Sequence, residues 1–457
     1  MKKYGILVAL MLLLQVVGTF TSVNAEQVTQ LTLGTTFKNE ITTDETEDVY
    51  SFTLEKPSRI QLTFKTYVDG YVGADLLASD EVTIIGSNNL YSEPNSPELV
   101  NRFYDLEPGV YYYQIRKGSG TGNYDLTVKA TEYSTNEIEW NNSAIEAQSI
   151  KNDGTKQLGV ITWNDDADFY KITIDKPSRV NFTFKSYIDD YVNAEIISSD
   201  EVTKVASNGI YATNASPNQW SNYVDLEAGV YYFKVDRASD SNTGKYELSI
   251  KATPFGIDEK EPNSGIDEAA KILPNGIKHY GLISWNDNLD YYKFQVNKTS
   301  KINVAIKSYI GDSVYLAVVN KDGVNQMANT YLYANSNSPN LWHYNGVLSP
   351  GTYYVLIEKT GDNTGKYELT ISTKDTTPPT APKVTKLSSQ GKLISGKAEA
   401  NSTVVVYLGS KKLASTIANS KGEFKLTLKP MKKNTKLSLY AVDTSKNKSK
   451  ATTIIVK

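Results

Sequence analysis

Two groups of acidic and amide side chains recur in this chain at matching places. Each group combines a short stretch ahead of a repeated segment with a second stretch about 25 residues later: EIEWNN (137–142) with WNDDAD (163–168), and EKEPNS (259–264) with WNDNLD (285–290). Alternate residues of an extended chain point to the same side, so the acids of each group can face one point. The side chains expected to converge are Glu137, Glu139, Asn141, Asn142, Asp165 and Asp168 in the first group, and Glu259, Glu261, Asn263, Asp287 and Asp290 in the second.

Such groups of carboxylates favour cation binding. Two carboxylates about 4 Å apart repel by roughly 1 kcal/mol in water and about 4 kcal/mol near a protein surface. Four of them would push the preceding linker away from the domain, whereas Ca²⁺, a hard ion that takes about six to eight oxygen ligands, would hold it there. We therefore predict two calcium sites that clamp linker to domain. The alternative is a solvated acidic linker beside an unrelated acidic turn.

Motifs of catalytic chemistry are hard to find. The chain has no cysteine and only two histidines, His279 and His343, neither within an H-E-x-x-H motif. It also has no G-x-S-x-G motif. Paired carboxylates of a glycosidase remain an alternative, because acids are abundant. We nevertheless expect that the chain is not an enzyme, since an active site repeated along a chain would be unusual.

The N-terminal residues are typical of an export signal. Two lysines precede an apolar run from Gly5 to Val17, and Ala25 ends a stretch of small residues suited to cleavage. No later stretch reaches about 18 apolar residues, the length needed to span a membrane. We therefore expect residues 1–25 to be a signal peptide and the mature chain to be secreted, with no transmembrane segment.

One segment of about 20 residues occurs three times in related form. Residues 168–187 read DFYKITIDKPSRVNFTFKSY, and related lines occupy 48–67 and 290–309. Two further phrases, DLEPGVYYYQI (105–115) and GNYDLTVKAT (122–131), recur in step, at intervals of 120 to 122 residues. This period is the size of a domain and exceeds the roughly 20 to 50 residues of a solenoid repeat. We therefore expect three similar domains, at 26–134, 135–255 and 256–374.

Each copy shows the pattern of β-strands. Apolar and polar residues alternate in YKITI (170–174) and in VNFTF (180–184), on either side of a Lys-Pro-Ser turn, which is typical of a hairpin with one buried face. Short strands and little helix predict an all-β chain of antiparallel sandwiches. In the Tyr-rich strand, one face is consistently apolar and should be core. The opposite face supplies three candidate ligand-binding residues: Tyr112, Tyr232 and Tyr354.

These phrases resemble a known family. The D-x-D-x-Y-K opening, the L-x-x-G-x-Y-Y strand and the G-x-Y-x-L-x-I final strand look like the bacterial pre-peptidase C-terminal (PPC) domain, and EPNSGIDEAAKI (261–272) is similar to the family's Glu-Pro-Asn opening. That family includes the collagen-binding domains of clostridial collagenases. The resemblance covers about 350 residues. It implies three tandem jelly-roll-like β-sandwiches of a type that usually accompanies a secreted enzyme.

The resemblance also implies calcium binding. Collagen-binding relatives bind this ion with a Glu-x-Glu-x-Asn linker and an Asp-x-x-Asp loop, as in both groups above. The present sequence departs from the family at Asn142 and Ser264, which replace the usual Asp, so we expect a weak dissociation constant of about 10⁻⁴ to 10⁻³ M. The first copy keeps Glu45 and Asp48 but lacks the linker motif. We therefore expect two Ca²⁺ sites, not three.

The C-terminal part is of a different type. Residues 375–383 form a Pro-rich linker, and residues 384–457 resemble bacterial Ig-like domains through ISGKAEANSTVVVYL, GEF and AVDTSKNKS, which implies a C-terminal Ig-like β-sandwich. Residues 375–457 hold 16 lysines and four acids, a net charge of +12, whereas residues 26–374 carry −17. The basic tail is either a solvated surface or a means of retention on the anionic wall polymers of a Gram-positive cell.

The expected function is that of a secreted, non-catalytic binding or adhesion protein. Linked modules suit polymers with many equivalent sites, so the expected partner is an extracellular polysaccharide, a cell-wall polymer or a matrix protein, and not a nucleic acid. Two alternatives stay open, a structural spacer of the cell surface and an accessory part of a secreted hydrolase system. Collagen is one candidate ligand of several, because the outward face of the Tyr-rich strand supplies only one Tyr per copy.

Overall fold

The computed structural model describes residues 28–44, 46–322, 324–387 and 392–457. The predicted signal peptide and Glu45 lie outside these residues. The described residues form 34 strands and no helix, which confirms the prediction of an all-β chain.

Each of the first three domains contains nine strands. Those of the first are β1 (Thr29–Gln30), β2 (Thr36–Ile41), β3 (Glu47–Leu54), β4 (Ser58–Thr66), β5 (Gly70–Leu77), β6 (Ile84–Ser92), β7 (Glu98–Leu106), β8 (Gly109–Lys117) and β9 (Gly122–Glu132). Those of the second are β10 (Gln148–Ser149), β11 (Asp153–Ile161), β12 (Ala167–Ile174), β13 (Ser178–Ser186), β14 (Asp190–Ser198), β15 (Lys204–Ala212), β16 (Asn218–Leu226), β17 (Gly229–Arg237) and β18 (Gly244–Pro254). Those of the third are β19 (Ala270–Lys271), β20 (Asn275–Ile283), β21 (Leu289–Val296), β22 (Ser300–Ser308), β23 (Asp312–Val319), β24 (Gln326–Ala334), β25 (Asn340–Leu348), β26 (Gly351–Lys359) and β27 (Gly365–Asp375).

The three copies share one topology. In the first, a five-stranded sheet has the order β1-β3-β8-β5-β6 and a four-stranded sheet has the order β2-β9-β4-β7. The other two copies repeat both orders strand for strand. Only the short first strand of each copy pairs in parallel with its neighbour, and the remaining ladders are antiparallel. These two-sheet domains confirm the predicted sandwiches, while their exact boundaries stay a prediction.

Alternation of side chains builds the core of each sandwich. Buried residues alternate with half-buried ones along all nine residues of β4, as a strand with one face on the core requires. In β8 the buried face carries Tyr111, Tyr113 and Ile115, as the pattern predicted. Side chains from both sheets form the main apolar cluster of each sandwich, and the third sandwich has a second, smaller cluster around Ala317, Val319 and Leu356.

A glycine is required where the last strand of each copy begins. Gly244 has a φ of 140°, and a Cβ atom there would lie 2.9 Å from the Cα of Ile188. Gly122 and Gly365 hold the same conformation, with φ of 150° and 148°. Only glycine adopts such a backbone without strain, which explains the first residue of the G-x-Y-x-L phrase.

The C-terminal domain has two sheets of its own. Its strands are β28 (Lys383–Leu387), β29 (Leu393–Lys397), β30 (Thr403–Leu408), β31 (Lys411–Ile417), β32 (Glu423–Thr427), β33 (Lys436–Val442) and β34 (Thr452–Ile455). They form sheets of order β28-β29-β32 and β31-β30-β33-β34 around a separate apolar core. This is the predicted C-terminal sandwich.

Candidate cation sites at the interdomain linkers

The predicted acids meet in two places. Carboxylate oxygens of Glu137, Glu139 and Asp168 all lie within 4.8 Å of one another. Both glutamates belong to the linker between β9 and β10, and Asp168 is the second residue of β12. The equivalent residues of the next copy form a second group with the same separation: Glu259, Glu261 and Asp290.

Hydrogen bonds fix the first linker on its sandwich. Glu137 accepts from the Val160 amide at 2.8 Å and from the Tyr170 hydroxyl, and it lies 2.9 Å from the Tyr246 hydroxyl oxygen. The Phe169 amide donates to the Asn141 carbonyl at 2.8 Å, which holds the linker along the start of β12. These contacts place the linker backbone and one of its carboxylates on the sandwich.

Several buried oxygens of the first group have no hydrogen-bond partner. Asp168 accepts from Tyr246 at 2.6 Å through Oδ2, but its Oδ1 is unpartnered. The same is true of both carboxylate oxygens of Asp165 and of Oδ1 in Asn141 and Asn142. Buried polar atoms almost always have a partner, so these clustered oxygens are suited to bind a cation or water molecules.

The second group repeats this arrangement. Glu259 accepts from the Leu282 amide at 2.5 Å and from the Tyr292 hydroxyl at 2.7 Å, and it lies 2.9 Å from the Tyr367 hydroxyl oxygen. Tyr367 also donates to Asp290 at 2.6 Å. The oxygens without a partner are Oδ1 of Asn263, Oδ2 of Asp287 and Oδ1 of Asp290.

Burial and mutual repulsion raise the pKa values of these carboxyls. Burial, followed by the charge of Glu137, raises the pKa of Asp165 to about 7 and that of Asp168 well above its usual value. For the same two reasons, the pKa of Glu139 rises to about 8. In the second group, burial raises the pKa of Glu259 to about 8 and that of Asp287 to about 7. At neutral pH and without a cation, several carboxyls of each group therefore keep their protons, and no basic side chain among the members of the group compensates their charge when they ionise.

The donor set fits a hard divalent cation. All candidate ligands are carboxylate or amide oxygens, which suit Ca²⁺ or Mg²⁺, whereas zinc and copper prefer the nitrogen and sulfur donors that are absent from these groups. Glu139, Asn141, Asp165 and Asp168 would hold the ion in the first group. Their counterparts in the second are Glu261, Asn263, Asp287 and Asp290.

In the first sandwich, an amide side chain from strand β2 occupies the place of the linker glutamate. Asn39 donates to the hydroxyls of Tyr50 and Tyr124 at 3.0 and 3.2 Å, the place that Glu137 takes beside Tyr170 and Tyr246. Tyr124 still donates to Asp48. Among the residues that the structure describes, which do not include Glu45, three carboxylates converge at two places only.

Sequence reasoning missed the tyrosines of both sites. Tyr170 and Tyr246 lie fully buried with their hydroxyls on Glu137, and the second site uses Tyr292 and Tyr367 likewise. The sequence contained a signal for them: the G-x-Y phrase has Tyr in all three copies, although Phe would fill the apolar core equally well.

The candidate ligand-binding tyrosines are only half buried in the middle of a sheet face. Tyr112 lies in β8 between Ser51 of β3 and Leu77 of β5. Their role in ligand binding stays a prediction. More exposed tyrosines, which the sequence analysis did not select, lie on the two adjoining strands β5 and β6 and their counterparts: Tyr71, Tyr91, Tyr191, Tyr211, Tyr331 and Tyr333.

Comparisons with known proteins match different parts of the chain. Residues 378–457 match the bacterial Ig domain family. A stretch of 226 residues is 27% identical to the collagenase ColA of Clostridium perfringens; it covers 47% of this chain and 20% of that protein. Among solved structures, the pre-peptidase C-terminal domain of a Bacillus anthracis collagenase is 25% identical, with 25% of this chain and all of that chain covered and a TM-score of 0.20. A tandem CBM22 structure from Paenibacillus barcinonensis Xyn10C is 12% identical; the match covers 45% of this chain and 82% of that chain, with a TM-score of 0.17.

The chain thus spans about a fifth of the length of the collagenase that it matches. Sequence similarity to that collagenase agrees with the phrases that resemble PPC domains, and the Ig match lies on the predicted tail. The chain therefore consists of three sandwiches of one topology, over part of which it is similar in sequence to a clostridial collagenase, and of a C-terminal region that matches the bacterial Ig domain family.

Proposed function

We propose that this chain is a secreted, non-catalytic protein that binds an extracellular polymer through its three PPC-like sandwiches, with calcium at the two linkers. The observation that carries polymer binding is a pair of neighbouring tyrosines that recurs on the same two strands of each sandwich; both rings are exposed in the first two copies, and in the third one ring is exposed and the other, Tyr315, is half-buried. The observation that supports calcium is the set of buried, unpartnered oxygens described above.

The tyrosine pairs have nearly the same geometry in every copy. Tyr71 on β5 lies directly opposite Tyr91 on β6, with ring centroids 5.0 Å apart. The rings of Tyr191 and Tyr211 are 5.2 Å apart in the second copy. In the third copy the pair moves two residues along the strands, to Tyr315 and Tyr331 at 5.0 Å, and Tyr333 adds a further ring.

Such pairs suit a polymer more than a small molecule. Each pair presents two flat apolar rings with hydroxyls that can hydrogen-bond, on a rigid sheet rather than in a cavity. Three such surfaces in one chain allow simultaneous contacts with a ligand that repeats along its length, and linked sites can raise apparent affinity by about 10²- to 10⁴-fold. A nucleic acid is disfavoured, because residues 26–374 carry a net charge of −17.

Two classes of polymer fit these surfaces. The collagenase relative indicates a matrix protein such as collagen, whereas aromatic rings on a sheet equally suit the flat faces of polysaccharide rings. An array of matrix proteins, chitin, cellulose and peptidoglycan, probed with residues 26–457, distinguishes the classes. Absence of binding to every polymer would instead favour a structural spacer.

Removal of one tyrosine per pair should abolish most of the avidity. We expect Tyr71→Ala, Tyr191→Ala and Tyr331→Ala together to weaken binding to the polymer found on the array by about 100-fold or more, because all three surfaces fail at once. The matched control replaces exposed residues of the opposite sheet, Phe103→Ala, Tyr223→Ala and Leu341→Ala, and should bind as the wild type does. Equal losses in the two triple variants would refute this surface.

Association with the cell wall is proposed for the Ig domain. Among described residues 392–457, no lysine lies within ion-pair distance of an acid, so the charge is not neutralised within the domain. Secretion itself rests on the N-terminal residues, which lie outside the described part; within the described part, no helix is long and apolar enough to cross a membrane.

The wall proposal predicts a strong dependence on salt. Binding of residues 26–457 to purified Gram-positive walls should fall steeply between about 50 and 500 mM NaCl, because screening shortens the reach of exposed charges. A variant with Lys432→Gln, Lys433→Gln and Lys436→Gln should bind more weakly at low salt. Wall binding that stays constant over this range would rule out electrostatic retention.

A further inference from the structure

Each linker site also faces the sandwich that precedes it. A cavity of about 210 Å³ beside the first site is lined by Glu107 and Pro108, which lie in the turn between β7 and β8 of the first sandwich. Its other walls are Glu139, Trp140, Asn164 and Asp165. Asp165 is only 3% exposed, and neither of its carboxylate oxygens has a hydrogen-bond partner. Carboxylates from two consecutive domains therefore line one cavity.

The charges of the two domains affect each other. Burial and the charge of Glu137 raise the pKa of Glu107. In the second joint, burial and the charge of Glu261 raise the pKa of Glu227, the equivalent residue. Without a cation, the glutamate of the preceding sandwich therefore adds to the repulsion at both sites.

A tryptophan joins each pair of sandwiches. Trp163, which comes just after β11, packs against the apolar core of the first sandwich, and its amide donates to the Asp105 carbonyl at 3.1 Å. Trp285 packs against the core of the second sandwich in the same way, with its amide 3.1 Å from the Asp225 carbonyl. The domains are thus in direct apolar contact beside each site.

An Arg–Asp–Thr contact completes each joint. The buried Asp105 carboxylate accepts from Arg59 at 2.8 and 2.7 Å and from Thr243 of the next sandwich at 2.8 Å. In the second joint, Asp225 accepts from Arg179 at 2.8 Å and from Thr364 at 2.9 Å. Since a buried carboxylate shared by two domains would be costly to separate, each joint holds a defined orientation.

These residues occur only where one nine-stranded sandwich is followed by another. The third copy, which is followed by the smaller C-terminal domain, has Lys301, Val347 and Ser349 at the positions of the Arg, the Asp and the Glu. The first copy has Thr43 at the position of the Trp, and no sandwich precedes it among the described residues. The fold tolerates these replacements, so the residues serve the joint and not the sandwich.

We infer that each cation site is shared between two domains: Glu107 of the preceding sandwich completes the first site, and Glu227, at the same position of the equivalent turn, completes the second, so that cation binding locks the three sandwiches into a rigid array. This inference rests on the proposed function, since it requires the linker sites to bind calcium. Calcium affinity depends on the number of charged ligands, so a shared glutamate strengthens the site. By thermodynamic linkage, if contact between two neighbouring sandwiches strengthens calcium binding, then calcium binding strengthens that contact by the same factor.

The test uses residues 26–457 with Glu107→Gln and Glu227→Gln. The matched control is Glu81→Gln with Glu201→Gln, which changes exposed glutamates of the same two sandwiches. Calcium affinity comes from calorimetry, and interdomain order from spin-label distance distributions. Because the chain has no cysteine, Val82→Cys and Val324→Cys, both highly exposed, label the first and third sandwiches cleanly.

In the wild type and the control, calcium should narrow the distance distribution. In the variant with Glu107→Gln and Glu227→Gln, both calcium sites should remain, but their calcium affinity should be lower by about tenfold. The spin-label distance distribution of this variant should therefore narrow only at a correspondingly higher calcium concentration. Trp163→Ala with Trp285→Ala, which loosens docking without touching a ligand, should also weaken calcium binding. If the wild type binds calcium and the Gln variant matches the control in both readouts, this inference fails alone. If the wild type binds no calcium, the proposed linker sites fail with it.

Discussion

Without a divalent cation, the variant with Asp168→Asn and Asp290→Asn should melt at a higher temperature than the wild type, and calcium should reverse this order. Each aspartate is fully buried beside two other carboxylates, so an amide of the same shape removes repulsion in the cation-free protein. The same change removes a charged ligand when calcium is present. At ten times its dissociation constant, each ion stabilises the wild-type domain by about 1.4 kcal/mol, a shift of about 5 °C for domains of this size.

Calorimetric melting with a chelator and with saturating calcium checks this crossover. The control carries Asp240→Asn and Asp362→Asn, exposed loop residues at similar places in the second and third sandwiches, and should follow the wild type in both conditions. A variant that melts below the wild type in both conditions would indicate that the two aspartates have a purely structural role.

Stability of the cation-free chain should fall as the pH rises from about 4 to about 8. The folded pKa values of Asp165 and Asp287 are about 7, and those of Glu139 and Glu259 about 8, above the values of about 4 in an unfolded chain. Raised carboxyl pKa values mean that the folded state binds protons more tightly. Their contribution to stability is therefore complete below pH about 4 and is lost as the pH passes through the folded values.

Calcium should remove the pH dependence of stability, because the bound ion takes the place of the protons on the clustered carboxyls. Melting temperatures from about pH 5 to pH 8.5 should decline in chelator and stay nearly level in saturating calcium, and calcium affinity should rise with pH over the same range. Glu139→Gln with Glu261→Gln should flatten the decline in chelator. A cation-free chain that becomes more stable between pH 5 and pH 8 would contradict the assigned repulsion.

Much of the fold was predictable because each copy alternates in the same register. The apolar faces of YKITI and VNFTF are buried as the period of two requires, and three copies of one pattern leave little room for another assignment. The acids of the linker sites were also predictable, since Glu137 and Glu139 occupy alternate positions of an extended segment. Each of these patterns lies within one strand or one linker, so the local sequence is enough to predict it.

Features that depend on two distant segments were not predictable in the same way. β5 is buried on both faces over most of its length, so its pattern does not show that Tyr71 is exposed opposite Tyr91. Glu107 lies in a turn of one domain and meets Asp165 of the next only through the joint. Both features became visible only once the sheet register and the domain contacts were known.

Calcium titration of residues 26–457 by calorimetry, at a pH of about 7.5, tests most directly the claim that the linkers hold cation sites. Binding should occur at two sites per chain, with dissociation constants of about 10⁻⁴ to 10⁻³ M, and the melting temperature should rise with calcium. No heat of binding and no shift in melting temperature at about 10 mM calcium would contradict the account.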